Sequence, residues 1–216
     1  MLTMVPDPDQ LLDEASLTGQ YRLSRTQVRV VFQRLAGEGF LEIEEKRGVR
    51  VIPMSHSTLR NFFLVAPMIY AATGRLAVQN FKPSQLKALK ETQKRFRKAV
   101  QTRDAEALAL ENNSFHEIMG EMASNPYLQP SLGRLLIDHF RIGHTFFRPQ
   151  NQDMEQPLQL AAEHHDALIQ PIAARDQHKA GALAFDHWEL SRENMEIFIA
   201  PQGLKADDLV QSPAGK

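Results

Sequence analysis

The sequence predicts a mainly α fold in two parts: an N-terminal winged helix-turn-helix with a small β-hairpin wing over 1–54, and an all-α six-helix bundle over 58–200. Three observations predict it. Two short helical stretches separated by a turn come first. Two segments that alternate apolar and polar residues at period two follow them. From about Ser57 onward the alternation gives way to six long stretches with apolar residues at helical spacing, the pattern of a bundle.

Taken in order, 11–18 reads as a short helix with Leu12 and Leu17 apolar and Gly19 placed where a helix C-terminus favours glycine. Ser24 is a good N-cap for a second helix, along which Val28, Val31, Phe32 and Leu35 recur until Gly37-Glu-Gly39 stops the pattern. Phe40-Leu-Glu-Ile-Glu44 alternates, a loop carries Lys46-Arg47-Gly48, and Val49-Arg-Val51 alternates again, as the two arms of a wing. The bundle helices are expected at 64–78, 83–101, 105–123, 126–144, 156–175 and 177–199. Breaks fall at Lys82-Pro83, Thr102-Arg-Asp104, Ser124-Asn-Pro126, a polar loop over 148–155, and Asp176. Residues 201–216 lack periodicity and are expected to form a flexible tail.

Composition narrows the chemistry. There are no cysteines among the 216 residues, which excludes disulfides, thiolate metal sites and cysteine nucleophiles; any transition metal has to be held by His, Asp, Glu or Asn. No run approaches the ~18 consecutive apolar residues of a membrane span, and residues 1–20 carry acids where a signal peptide needs a basic start, so a cytoplasmic protein is the expectation. The net charge of -1 argues against indiscriminate coating of nucleic acid and leaves room for a local basic footprint. Between Gly19 and Val51 seven basic residues face four acidic ones.

On the second short helix Arg25, Arg29 and Gln33 stand at i, i+4 and i+8, opposite the apolar Val28, Phe32 and Leu35. Arginine bonds guanine bidentately in the major groove and glutamine bonds adenine, while Ser24, Thr26 and the helix N-terminus suit phosphate oxygens. The same spacing is also that of a solvated amphipathic helix, so spacing alone leaves both readings open.

Leu12-Asp-Glu-Ala-Ser-Leu17, Leu23-Ser-Arg-Thr-Gln-Val-Arg29, Leu35-Ala-Gly-Glu-Gly-Phe-Leu41 and Arg47-Gly-Val-Arg-Val51 resemble, in order and spacing, the GntR family of bacterial transcription regulators. The resemblance implies operator contacts from Arg25, Thr26, Arg29 and Gly48, with Ser24 and Arg47 beside them. The family has proline where Gln27 stands and Ala-Leu where Val31-Phe32 stand. It also carries a further helix before the segment that begins at Leu12, whereas this chain starts eleven residues ahead of that position. A misplaced start codon or a truncated gene is the expectation, with Val28, Phe32 and Leu35 left partly uncovered.

A second set of residues concerns a metal. Asn112 and His116 lie four apart on one expected helix, so their side chains share a face and can share one ion. His165 and His187 follow on the next two helices of interest, each among apolar neighbours, and bundles build metal sites from facing helices in this way. Eight histidines in the chain equally fit ordinary core and surface positions. Asn112-Asn-Ser-Phe-His116, Ser124-Asn-Pro-Tyr-Leu128, Glu163-His-His-Asp-Ala-Leu-Ile169 and Arg175-Asp176 with Ala180, Ala182 and His187 look like the FCD ligand-binding domain of the FadR-like GntR branch. That resemblance implies a divalent metal, zinc or similar, on Asn112, His116, His165 and His187, with His164 as the alternative to His165. Asparagine in place of a carboxylate leaves such a site near +2, which weakens metal binding and strengthens attraction for an anion.

The first helix of the family's domain commonly carries an Arg and, four residues on, a Glu, where this chain has Ala66 and Tyr70. Arg75, Arg141 and His144 are the candidates for holding a carboxylate-bearing effector instead. The resemblance implies a homodimeric regulator, with metal and effector modulating its grip on double-stranded operator DNA, no catalytic residues and no membrane partner. A metal-dependent hydrolase, with Glu117 or Glu163 near in sequence as a base, and a sensor that no longer binds DNA are the alternatives.

Overall fold

A computed structural model describes residues 11–44, 48–53, 55–146 and 155–199. The expected tail over 201–216 and the wing-tip residues Lys46 and Arg47 lie outside them.

The first helix begins later than its apolar residues suggest. Leu11–Leu12 forms a short strand, β1, and Asp13 caps α1 (Glu14–Tyr21), its carboxylate accepting from the Ala15 and Ser16 amides. Gly19 lies inside α1, and the stop comes at Arg22 in the left-handed region with φ 52. Ser24 caps α2 (Arg25–Gly37) in a full capping box: its hydroxyl accepts from the Gln27 amide while the Gln27 side chain accepts from the Ser24 amide. Gln27 therefore supplies at the third helical position what the box requires. Strands β2 (Leu41–Glu44) and β3 (Gly48–Val51) form the expected hairpin, and β1 adds to it, giving an antiparallel sheet in the order β1-β3-β2. Ile43 pairs with Val49, and Leu12 pairs with Val49 from the other side. Gly48 enters β3 at φ 118, a conformation closed to side-chain-bearing residues in practice.

The expectation of an uncovered core is corrected for two of its three residues. Val28 and Phe32 are buried against Leu41 and Val49, with Leu12, Leu17, Leu23 and Leu35 packed around them. The added strand and the wing do the covering. Val30 and Val31, on another face of α2, are the ones exposed.

The bundle comprises α3 (His56–Asn80), α4 (Pro83–Thr102), α5 (Ala105–Ala123), α6 (Leu128–Phe146), α7 (Glu155–Ala173) and α8 (Gln177–Ile199). Helix α3 starts eight residues before the expected Leu64, because Ser55 caps it, accepting from the Thr58 amide, and it continues through Pro67. Proline removes one helical donor, and the burial of Phe62, Ala66 and Tyr70 on either side holds the helix together. By length and a mean hydropathy of 1.3, α3 is apolar enough to cross a membrane. Its buried face instead packs on α8, α5 and α6 as the central helix of the bundle. At Gly74 a β-carbon would fall 2.9 Å from the Ala180 carbonyl oxygen, so only glycine permits the close approach of α3 to α8.

Between bundle and winged part the contacts run from α6. The Arg134 guanidinium lies over the Phe40 ring at 4.7 Å, and Arg141 donates to the Ile52 carbonyl at 2.8 Å.

Candidate functional site

Three histidines from three helices meet in the middle of the bundle. His116 comes from α5, His165 from α7 and His187 from α8, all buried, and one ring nitrogen of each lies within 4.8 Å of the others. Burial among apolar groups, with the other histidines adding repulsion, pushes all three below the usual imidazole range, His187 to about 3. They are neutral at physiological pH, which is the form that ligates a metal.

The orientation of His165 is set by a second layer. Gln93 on α4 donates its amide N–H to the Ala162 carbonyl at 2.8 Å, so its oxygen is left to accept from His165 Nδ1 at 3.1 Å. The proton is thereby placed on Nδ1, and Nε2 keeps its lone pair. His165 Nε2 and His116 Nε2 are both buried and make no hydrogen bond among the described residues. Buried polar atoms are rarely left so, and two of them in one three-histidine cluster suit a divalent cation. Asn112 is buried one helical turn before His116, on the same face of α5.

A small cavity of about 10 Å³ opens beside the cluster, bordered by His116 and His187, by Tyr70 and Thr73 of α3, and by Met119 and Leu132. Tyr70 reaches across to α6, its hydroxyl 2.7 Å from His139 Nδ1, and its ring stacks on Trp188 with centroids 5.6 Å apart.

The expected effector residues stand elsewhere. Arg75 is exposed and lays its stem over Gly181, and Arg141 is engaged by Asp138 and the Ile52 carbonyl; neither borders the cavity. The reason is rotational: Arg75 falls on the outer side of α3, and Arg141 on the side of α6 turned to the winged part. The side chain of His144 lies outside the described residues. His164 is only half-buried and is absent from the three-histidine cluster. His139, Tyr70 and Gln93 were not singled out as site residues. His139 carries a readable signal, since it extends the buried series Leu132, Leu135, Leu136 at helical spacing.

The FCD domain matches residues 68–190, more than half of the chain. The chain belongs to the FCD family, in the GntR group of transcription regulators. It is 22% identical over 169 residues to the HTH-type transcriptional repressor RspR of Escherichia coli, covering 78% of this chain and 72% of that protein. It is 18% identical over 191 residues to the HTH-type regulator YdhC of Bacillus subtilis, covering 88% and 83%. Its fold is that of Escherichia coli McbR/YncC, with a TM-score of 0.75 at 20% identity over 89% of this chain and 88% of that one. A GntR regulator from a Rhodococcus species follows at a TM-score of 0.64 and 17% identity over 90% of both chains. All six helices of the FCD part contribute to the arrangement just described, or frame it.

Ahead of the FCD domain, α2 exposes Ser24, Arg25, Thr26, Arg29 and Gln33, and the Gly48 backbone is exposed at the start of β3. The Ser24 hydroxyl is engaged in the capping box. Arg29 pairs with Glu14 of α1 at 2.9 Å, a contact that raises its already high pKa and holds the guanidinium across the two helices.

Proposed function

We propose that this FCD protein is a DNA-binding transcription regulator, acting as a homodimer, whose helical domain holds a divalent metal and senses a small carboxylate-bearing effector. The observation that carries the reading is the meeting of three neutral, buried histidines at one point, two of them with an unshared Nε2. Asn112, His116, His165 and His187 would hold the ion. When bound, it supplies a positive charge with coordination positions left for an anion. The residues do the rest: Gln93 keeps His165 in its ligating tautomer, and the surrounding apolar clusters exclude water.

DNA is assigned to the winged part, 1–54, as a unit distinct from the helical domain over 58–200. Arg25, Arg29 and Gln33 on the exposed face of α2 would read base edges, Arg29 exchanging its Glu14 partner for the DNA, and Ser24, Thr26 and the wing from Gly48 and Arg47 would meet phosphates. In a dimer this gives half-sites about one helical turn of DNA apart, or multiples of it. Repression is the sign of regulation in keeping with the likeness to the Escherichia coli repressor RspR. The hydrolase alternative loses support from the placement of Glu117 and Glu163, both exposed on the outside of their helices.

The test is a pull-down of genomic fragments by purified protein with and without a chelator. An enriched palindrome whose recovery changes with chelator is the expected result. No enrichment even at low salt, where phosphate contacts are strongest, would overturn the DNA-binding reading.

A further inference from the structure

The exposed face of α2 has a crest, and an apolar residue stands on it. Val30 is two residues from each of the buried Val28 and Phe32, which sets it about 160° around the helix from both. It is 59% exposed, more than any other large apolar side chain of the winged part among the described residues. Thr26 and Gln33, one turn before and one turn after, are exposed on the same line. Arg25 and Arg29 rise from a flank instead. Each is three residues from a buried one and so about 60° from it, and Arg29 leans onto Glu14 of α1 at 2.9 Å.

Reach separates the two kinds of residue. An arginine on the flank meets a base edge or a phosphate at the end of a long stem. A valine carries no polar atom and ends at its γ-methyls, so it meets only what the helix backbone itself approaches, and a helix laid in a groove approaches most closely along its crest. The fold gains nothing from a valine here. It is a poor helix former, and it stands outside the cluster of Val28, Phe32, Leu41 and Val49. The helix around it carries three arginines and no acidic residue, with Arg25 and Arg29 on one flank and Arg34 on the other. Basic flanks fit the phosphates that border a major groove, and the apolar group on the floor of that groove is the 5-methyl of thymine.

We propose that Val30 is a base-reading residue, its methyls packing on the 5-methyl of one thymine in each operator half-site. The inference rests on the DNA-binding reading above and adds the base that this position selects. The contact removes apolar surface from water on both partners and needs no hydrogen bond. It separates thymine from cytosine, which carries only hydrogen at C5.

The experiment uses the full chain to select duplexes from a random-sequence library. The selected duplex is then resynthesised with deoxyuridine for thymidine at one position at a time, which removes the 5-methyl and nothing else. At one thymine per half-site the replacement is expected to lower affinity by about three- to fivefold, as loss of one buried methyl does. Val30→Ser, of similar helix propensity, should melt with the wild-type protein and bind the thymine and uracil duplexes alike. Gln33→Ala should bind more weakly and keep the preference for thymine. Full affinity at every uracil position, or a Val30→Ser protein that still prefers thymine, would overturn the proposal. So would a lower melting temperature for Val30→Ser, which would place Val30 in a contact within the protein. Enrichment of no sequence even at low salt is a separate failure, which removes the DNA reading itself and this proposal with it.

Discussion

The winged part and the FCD part are built to different standards. Among the described residues, the winged part rests on one cluster of four buried side chains, Val28, Phe32, Leu41 and Val49. The FCD part rests on three clusters, and within them it buries polar groups such as Gln93, His165 and Asn112 that a thin core has no means of sheltering. The difference separates the two tasks. A sensing site that needs neutral, dry histidines belongs in a deep bundle, while a surface that reads DNA needs only enough core to hold one helix and one wing in place.

The largest effect that tests this contrast is Phe32→Ala. Removing a large buried ring from a cluster of four should cost about 3–5 kcal/mol and unfold the winged part alone. Calorimetry is expected to lose one transition, while zinc titration of the same variant stays normal; joint loss of both would mean the two parts fold as one unit.

Within the bundle, Gln93→Leu removes the group that fixes the His165 tautomer and should weaken zinc binding by roughly 10–100-fold. Asn112→Asp acts in the opposite direction, tightening zinc by returning a negative charge to the ligand set. Competition titration against a chromogenic chelator measures both, and unchanged affinity in the Asn112→Asp variant would take this position out of the ligand set.

Acid should separate the parts as well. His139 and His187 titrate in the fold near 4 and 3, against an ordinary value near 6.5. The unfolded chain takes up protons that the fold refuses, so metal-free stability is fully present above about pH 6.5 and declines as pH falls toward 4. Melting temperature followed from about pH 7.5 to about pH 4.5 should fall for the FCD transition, and His139→Gln should flatten the slope.

The smallest effect is Ser24→Ala. Losing one half of a capping box should cost about 1 kcal/mol, seen as a modest drop in the melting temperature of the winged part with the FCD transition unmoved.

Much of this was legible locally. Ser24 three residues ahead of Gln27, the alternation from Phe40 to Glu44, and Asn112 one turn from His116 are short-range patterns that backbone geometry enforces wherever they occur. The illegible features depend on partners far along the chain. Leu11 and Leu12 fit a helix by apolarity and become a strand because β3 offers them an open edge. The helix through Pro67 persists because burial on both sides outweighs one missing bond. Arg75 and Arg141 are plausible anion ligands by charge, yet Arg75 is exposed beside Gly181 and Arg141 turns to the Ile52 carbonyl, because their neighbours at helical spacing fill the core.

By itself, then, the sequence determined the two-part order of elements, the exposed basic face of α2, and the residue types available to a metal. Only the tertiary structure decided which of those residues meet. Three imidazoles separated by up to 71 positions are brought within 4.8 Å, and Tyr70 is brought onto His139 across 69 positions, because burying apolar helix faces leaves one arrangement of α3, α5, α6, α7 and α8. Spacing along the chain specifies which face of a helix a side chain occupies; which other face it meets is settled by how the whole bundle excludes water.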